Sequence, residues 1–184
     1  MGQNKKLYDL KGLRAYLLGG IIFILIGCPT TESLYRDAYF KYLAKKEEEA
    51  LALCKEILSR DASYTQAYLL TSLILAVKGQ TREAIDVLVE AKSKAKPEAI
   101  VYFNLGNLYF NKGDYARACA EYTQALKLNP GLHEAYLNRA NSFLALHEYA
   151  KALVDYEEFL RLSTKERPEV RKLVELLKID LKKN

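Results

Sequence analysis

Slid along itself, this sequence matches at one fixed step and lines up four windows without a gap, 31–64, 65–98, 99–132 and 133–166. A period of about 34 residues marks a repeated supersecondary unit that cannot bury its apolar face alone, so neighbouring units must stack. Ala50, Ala84, Ala118 and Ala152 hold one place in all four windows, and Ala38, Ser72, Gly106 and Ala140 hold another. Antiparallel helices approach to about 8 Å only where the crossing carries small side chains. Large residues flank these columns: Leu34, Tyr68, Tyr102 and Tyr136; Leu75, Tyr109 and Phe143; Cys54, Leu88, Tyr122 and Tyr156. Each window is divided by a turn signal, Lys45-Lys46, Gly79-Gln80, Gly113-Asp114 and His147-Glu148. Glycine suits the left-handed residue that ends a helix. The expected fold is all-α, an α-solenoid of about four helix-turn-helix units.

The third window carries Asn104-Leu-Gly-Asn-Leu-Tyr109, then Gly113-Asp114-Tyr115, Ala118, Tyr122, Ala125 and Pro130. It closely resembles a tetratricopeptide repeat, and the resemblance runs from residue 31 to about 164. The first window departs from the family pattern at Lys41 and Ile57, and the fourth at Phe159 and at Arg139, which stands where Leu105 does. Terminal units drift because one side lacks a neighbour. Beyond Thr164 the pattern stops, yet Val170, Leu173, Val174, Leu177 and Leu181 keep helical spacing behind Ser163 and Glu166, which are spaced as a capping box. Residues 167–184 therefore read as a helix that caps the last unit and turns its basic face to water.

Ahead of the repeats, Lys5, Lys6, Lys11 and Arg14 precede an unbroken apolar run from Ala15 to Gly27. That run is too short for a bilayer-crossing helix, which needs about 20 residues, and suits the core of a signal peptide. It ends Leu25-Ile26-Gly27-Cys28 and resembles the lipobox of bacterial lipoproteins. That resemblance implies residues 1–27 as a signal peptide, diacylglyceryl transfer to the Cys28 sulfur, and 28–30 as a lipidated start in the cell envelope. An uncleaved anchor or a buried N-terminal helix are the alternatives. Cys54 and Cys119 lie in helical stretches two repeats apart and read as small buried hydrophobes. A disulfide between them would need Cα atoms within about 7 Å.

The formal charge of +5 concentrates ahead of Cys28, where Lys5, Lys6, Lys11 and Arg14 face Asp9 alone, so the body is close to neutral. The basic stretch from Lys165 to Lys183 is interleaved with Glu166, Glu169, Glu175 and Asp180. Nucleic-acid binding needs cations clustered on one face, so it is not expected. His133 and His147 fall about 20 Å apart along a helix and cannot share a metal. No metalloprotease, nucleophile-elbow or phosphate-loop motif occurs, no cofactor is implied, and an enzyme is not expected.

In tetratricopeptide stacks the first helix of each unit lines a concave groove that takes extended peptides or partner helices. Carried onto this sequence, the resemblance places Tyr35, Tyr39 and Tyr42 there from the first unit, and Phe103, Asn104, Asn107, Phe110 and Asn111 from the third. Asn138 and Asn141 follow from the fourth. An asparagine can donate to a peptide carbonyl and accept from a peptide N–H together, and tyrosines give large contact area at small entropy cost. The alternative is structural: asparagine is common at these places in the family, and the tyrosines could pack within their own unit. Ile100, Phe103, Glu134 and Leu137 stand where a chaperone-tail clamp would need Lys or Arg. The function implied is a membrane-anchored scaffold for a protein or peptide partner, the alternative being a structural subunit that stacks on itself or on a larger assembly.

Overall fold

A computed structural model describes residues 8–10, 13–18, 21–26 and 29–183 of the chain. From Thr31 onward it is helical: α1 (Thr31–Leu43), α2 (Glu47–Arg60), α3 (Thr65–Val77), α4 (Thr81–Lys94), α5 (Ala99–Asn111), α6 (Tyr115–Leu128), α7 (His133–Ala145), α8 (Tyr149–Leu162) and α9 (Pro168–Lys183). The first helices of the units, α1, α3, α5 and α7, start exactly one repeat period apart, as do the second helices, α2, α4, α6 and α8. Each helix packs on the next in sequence, which is the contact pattern of a solenoid.

The turn inside each unit has one geometry. Lys45, Gly79, Gly113 and His147 all take positive φ, from 60° to 80°. In the third unit the Gly113 N–H donates to the Phe110 carbonyl and the Asp114 N–H to Tyr109, the paired bonds of a Schellman end. The same two bonds recur at Lys45 and Lys46, Gly79 and Gln80, and His147 and Glu148. Asp114 also accepts from the Arg117 N–H and caps α6.

The small columns sit at the helix crossings. Ala38, Ala50, Ala84, Ala118, Ala140 and Ala152 are fully buried. A Cβ on Gly106 would lie 2.5 Å from the ring of the fully buried Tyr122, so this crossing is the one closed on a glycine. Tyr68, Tyr122, Tyr156 and Phe159 are the largest fully buried side chains, and burying each contributes about 1.5–3 kcal/mol. Three apolar clusters follow one another along the stack, the last joining Tyr156 and Phe159 to Val170, Val174 and Leu177 of α9.

The departures from the repeat pattern have local causes. Lys41 replaces an aromatic because its partner across the unit is Glu49, with which it forms an ion pair. At the same places in units three and four, Arg117 lies 5.0 Å over the Tyr109 ring and Lys151 5.4 Å over Phe143. Ile57 is buried in the first cluster. Phe159 replaces a small residue because its neighbour is α9 instead of a fifth repeat, and it fills the space against Val170 and Val174.

The capping box expected at Ser163 and Glu166 does not form. Ser163 closes α8, its hydroxyl bonded to Lys165, and α9 opens with Pro168. Proline is favoured at the first helical position, and it holds the preceding residue out of helical conformation, so the helix cannot begin earlier.

Before the solenoid, β1 (Tyr8–Leu10), β2 (Leu13–Leu18) and β3 (Ile21–Ile26) form an antiparallel sheet in the order β1-β2-β3. Leu18 pairs with Ile21 and Leu13 with Ile26. The alternative of a buried N-terminal helix is thereby corrected: Ile-Ile-Phe-Ile-Leu-Ile is dense in β-branched and aromatic residues. Cys28 and the Gly27–Cys28 bond, on which the lipoprotein expectation rests, lie outside the described residues. Among the described residues, no helix is long and apolar enough to cross a membrane.

Candidate functional site

The first helices α1, α3 and α5 enclose a cleft of about 320 Å³ lined by Tyr35, Tyr39, Leu69, Leu70, Ser72, Leu73, Ala76, Asn104, Asn107 and Leu108. Of the residues expected in the groove, four meet here: Tyr35 and Tyr39 from α1, Asn104 and Asn107 from α5. Tyr35 packs against Tyr64 at 5.6 Å, and burial raises its phenol pKa. Tyr39 remains 44% exposed, 6.4 Å from Tyr42, which itself packs on the first core cluster.

The asparagines divide by hydrogen bonding. Asn107 Oδ1 accepts from the Tyr122 hydroxyl at 2.8 Å and from Asn138 Nδ2 at 2.8 Å. One repeat later, Asn141 Oδ1 accepts from the Tyr156 hydroxyl at 2.6 Å. Asn107 and Asn141 tie the first helices of units three and four to the buried tyrosines of their second helices, and Asn138 ties α7 to α5. Burial raises the pKa of both phenols, that of Tyr156 to about 12, so both stay donors at neutral pH. Asn104 faces the cleft with no side-chain bond to a described residue, leaving its donor and acceptor open. Asn111 is exposed at the end of α5.

Phe103 and Phe110 do not join the cleft. Phe103 packs 6.0 Å from Tyr122, and Phe110 meets Tyr115 edge-on at 5.3 Å. The carry-over missed six lining side chains, Leu70, Ser72 and Leu108 together with Leu69, Leu73 and Ala76 of α3. The period itself points to the last three, since Leu69, Leu73 and Ala76 stand one repeat after Tyr35, Tyr39 and Tyr42. The cleft is therefore an apolar slot with one open amide, a form suited to an apolar side chain on a peptide backbone. Among the described residues it has no charged lining side chain, and no group of three or more His, Cys, Asp or Glu comes together to ligate a metal. Cys54 and Cys119 are free and buried, and burial pushes the Cys119 thiol up to about 11.

Helix pairs repeated at one fixed period, their Schellman turns and their small-residue crossings define this class of protein: an α-solenoid of tetratricopeptide units, a fold of protein-interaction scaffolds that are generally non-enzymatic. The tetratricopeptide repeat family model matches residues 99–132. The TPR repeat-containing protein YpiA of Bacillus subtilis (strain 168) is 37% identical over 73 residues, 40% of this chain; the chain spans only 17% of that protein's length. Among solved structures, MamA superposes with a TM-score of 0.66 at 19% identity, covering 73% of this chain and 78% of that one. YrrB, a TPR protein with an unusual peptide-binding site, does so with a TM-score of 0.64 at 19% identity, covering 73% and 70%.

Proposed function

We propose that this chain is a lipid-anchored scaffold of the bacterial cell envelope that holds a partner peptide or helix in its concave face. The observation that carries the binding part is the cleft, where Tyr35, Tyr39 and Asn104 come together around the apolar side chains of α3. The peptide-binding site of YrrB, on a fold of the same kind, supports it. Tyr35, Tyr39, Asn104 and Asn107 line the cleft, with Asn104 as the amide free to bond a partner backbone.

The anchor rests on the sequence Leu25-Ile26-Gly27-Cys28. Pro29, next in the chain, is exposed and accepts from Arg60 Nη1 at 2.7 Å, so a lipid on Cys28 would leave the solenoid beside the first unit. Radiolabelled fatty acid incorporated by the chain and lost on Cys28→Ala is the expected result; labelling that persists in the variant removes the anchor.

For the groove, the test is cross-linked capture from envelope extract by the chain and by Tyr39→Ala/Asn104→Ala. A single envelope protein captured by the first and lost by the second is expected. Identical captures place the partner on another surface.

A second reading is favoured by one observation. Phe40 is 60% exposed, whereas Ile74, Leu108 and Ser142 at the same place are buried by a preceding unit. Self-stacking through the first unit would cover it. Sizing by light scattering separates the readings: a dimer that Phe40→Ser dissociates would favour stacking, and a monomer the groove.

A further inference from the structure

The concave face changes chemistry halfway along the stack. In units one and two its outer columns carry Tyr39, Leu43, Leu73 and Val77, which are 44%, 55%, 45% and 60% exposed. At the same places units three and four carry Asn107, Asn111, Asn141 and Ala145. Tyr39 and Leu43 are one turn apart on α1, as are Leu73 and Val77 on α3, and a shift of one repeat maps one pair on the other. Two apolar ridges thus stand on neighbouring helices, continued by Tyr35 on α1 and Leu69 on α3, which line the same cleft as Tyr39 and Leu73. A patch of large apolar side chains with a polar rim marks an interaction surface.

Ridges of residues spaced by four are matched by another helix, whose own spaced-by-four ridge fits between them. The rim supplies a sign. Lys45 in the turn after Leu43, Lys112 at the end of α5, and Arg36 on α1 have no ion-pair partner among the described residues. The other lysines at this rim are engaged, Lys41 and Lys46 with Glu49, and Lys78 with Glu48. Among the described residues at this rim, Glu32 accepts from the Tyr64 hydroxyl, while Asp37 on α1 and Glu47 just past the turn have no ion pair; three open cations against these two carboxylates leave the rim net positive. We infer that units one and two dock an amphipathic helix of acidic character, its apolar stripe on Tyr39, Leu43, Leu73 and Val77 and its carboxylates toward Lys45, Lys112 and Arg36. This rests on the groove reading above and adds the shape and charge of what the groove takes.

A randomised peptide library, displayed on phage and long enough for several helical turns, is selected on the purified chain. The expected sequences repeat apolar residues at three- and four-residue spacing with Asp or Glu between them, and become helical on binding by circular dichroism. Leu73→Lys/Val77→Lys, both exposed positions that leave the core intact, should weaken them by more than about tenfold. Lys45→Glu/Lys112→Glu should weaken them severalfold, with the difference vanishing at high salt. Selected peptides that stay extended, lose binding on Asn104→Ala and ignore Leu73→Lys/Val77→Lys would overturn the helix and keep the groove. Failure to select any peptide overturns both, and a chain dimer that Leu73→Lys/Val77→Lys dissociates overturns the inference by making a second copy the occupant.

Discussion

Arg139 and Asp155 form a bidentate ion pair inside the fourth unit, Nε to Oδ2 at 2.7 Å and Nη2 to Oδ1 at 2.7 Å. The Arg139 guanidinium also donates to Thr123 Oγ1 at 2.9 Å and lies 5.6 Å over the Tyr136 ring, so one side chain joins α6, α7 and α8. The third unit has Leu105 at the same place, fully buried. Removing one partner leaves an uncompensated charge in the interior, so Asp155→Ala should cost about 3–5 kcal/mol. Arg139→Leu/Asp155→Val, which makes both places apolar, should recover most of that. Urea denaturation of the three chains measures it, and a double variant no better than Asp155→Ala would show that the pair is required as a pair.

Left-handed backbone costs a residue with a side chain about 1–2 kcal/mol more than it costs glycine. Lys45 and His147 occupy the φ values that Gly79 and Gly113 occupy elsewhere. Lys45→Gly should therefore raise stability by about 1 kcal/mol. His147→Gly should gain less, because His147 Nδ1 contacts the Tyr149 hydroxyl at 2.8 Å. Gly113→Ala should lose a comparable amount although no atom crowds its Cβ position. Thermal melts that order the variants otherwise would mean the turns relax.

Both the repeat and these turns were legible because the chain repeats them four times, so each column is a small alignment within one sequence. Where a place occurs once, spacing alone does not fix the local geometry. Ser163 and Glu166 have the spacing of a capping box, but Pro168 decides where α9 begins. At the groove, the period already pointed from Tyr39 to Leu73, while the bond from Tyr122 to Asn107 depends on helix placement that no spacing rule contains. Resemblance alone put the asparagines together; geometry separates Asn104 from Asn107.

Burial should make the cysteines inside the repeats unreactive. The Cys119 thiol is pushed up to about 11, and that of Cys54 is raised as well, chiefly by desolvation. The thiolate is the reactive form. At pH 8, a Cys28→Ala chain should therefore react with a thiol reagent only as fast as it opens, and fully once unfolded. Immediate reaction of either thiol in the native chain would show that its crossing is looser than these contacts require.

Tyr156 gives a pH dependence whose sign is fixed. Its folded pKa is raised by burial to about 12, above the ordinary phenol value of 10.0. Below pH 10 the phenol is protonated in both states and contributes no slope. Between 10 and 12 the unfolded chain loses the proton while the folded chain keeps it, so the unfolded state binds fewer protons and stability falls as pH rises. Tyr122 is shifted the same way by burial, so it adds to the fall at the alkaline end. The melting temperature should drop above pH 10, and Tyr156→Phe should flatten the drop across 10 to 12 while costing a little stability at neutral pH, because Asn141 loses its donor. Phenolate absorbance of the folded chain should lag that of the unfolded chain over the same window. Coincident titrations would mean that the hydroxyls of Tyr122 and Tyr156 reach water, and that the amide ties beneath the groove are open.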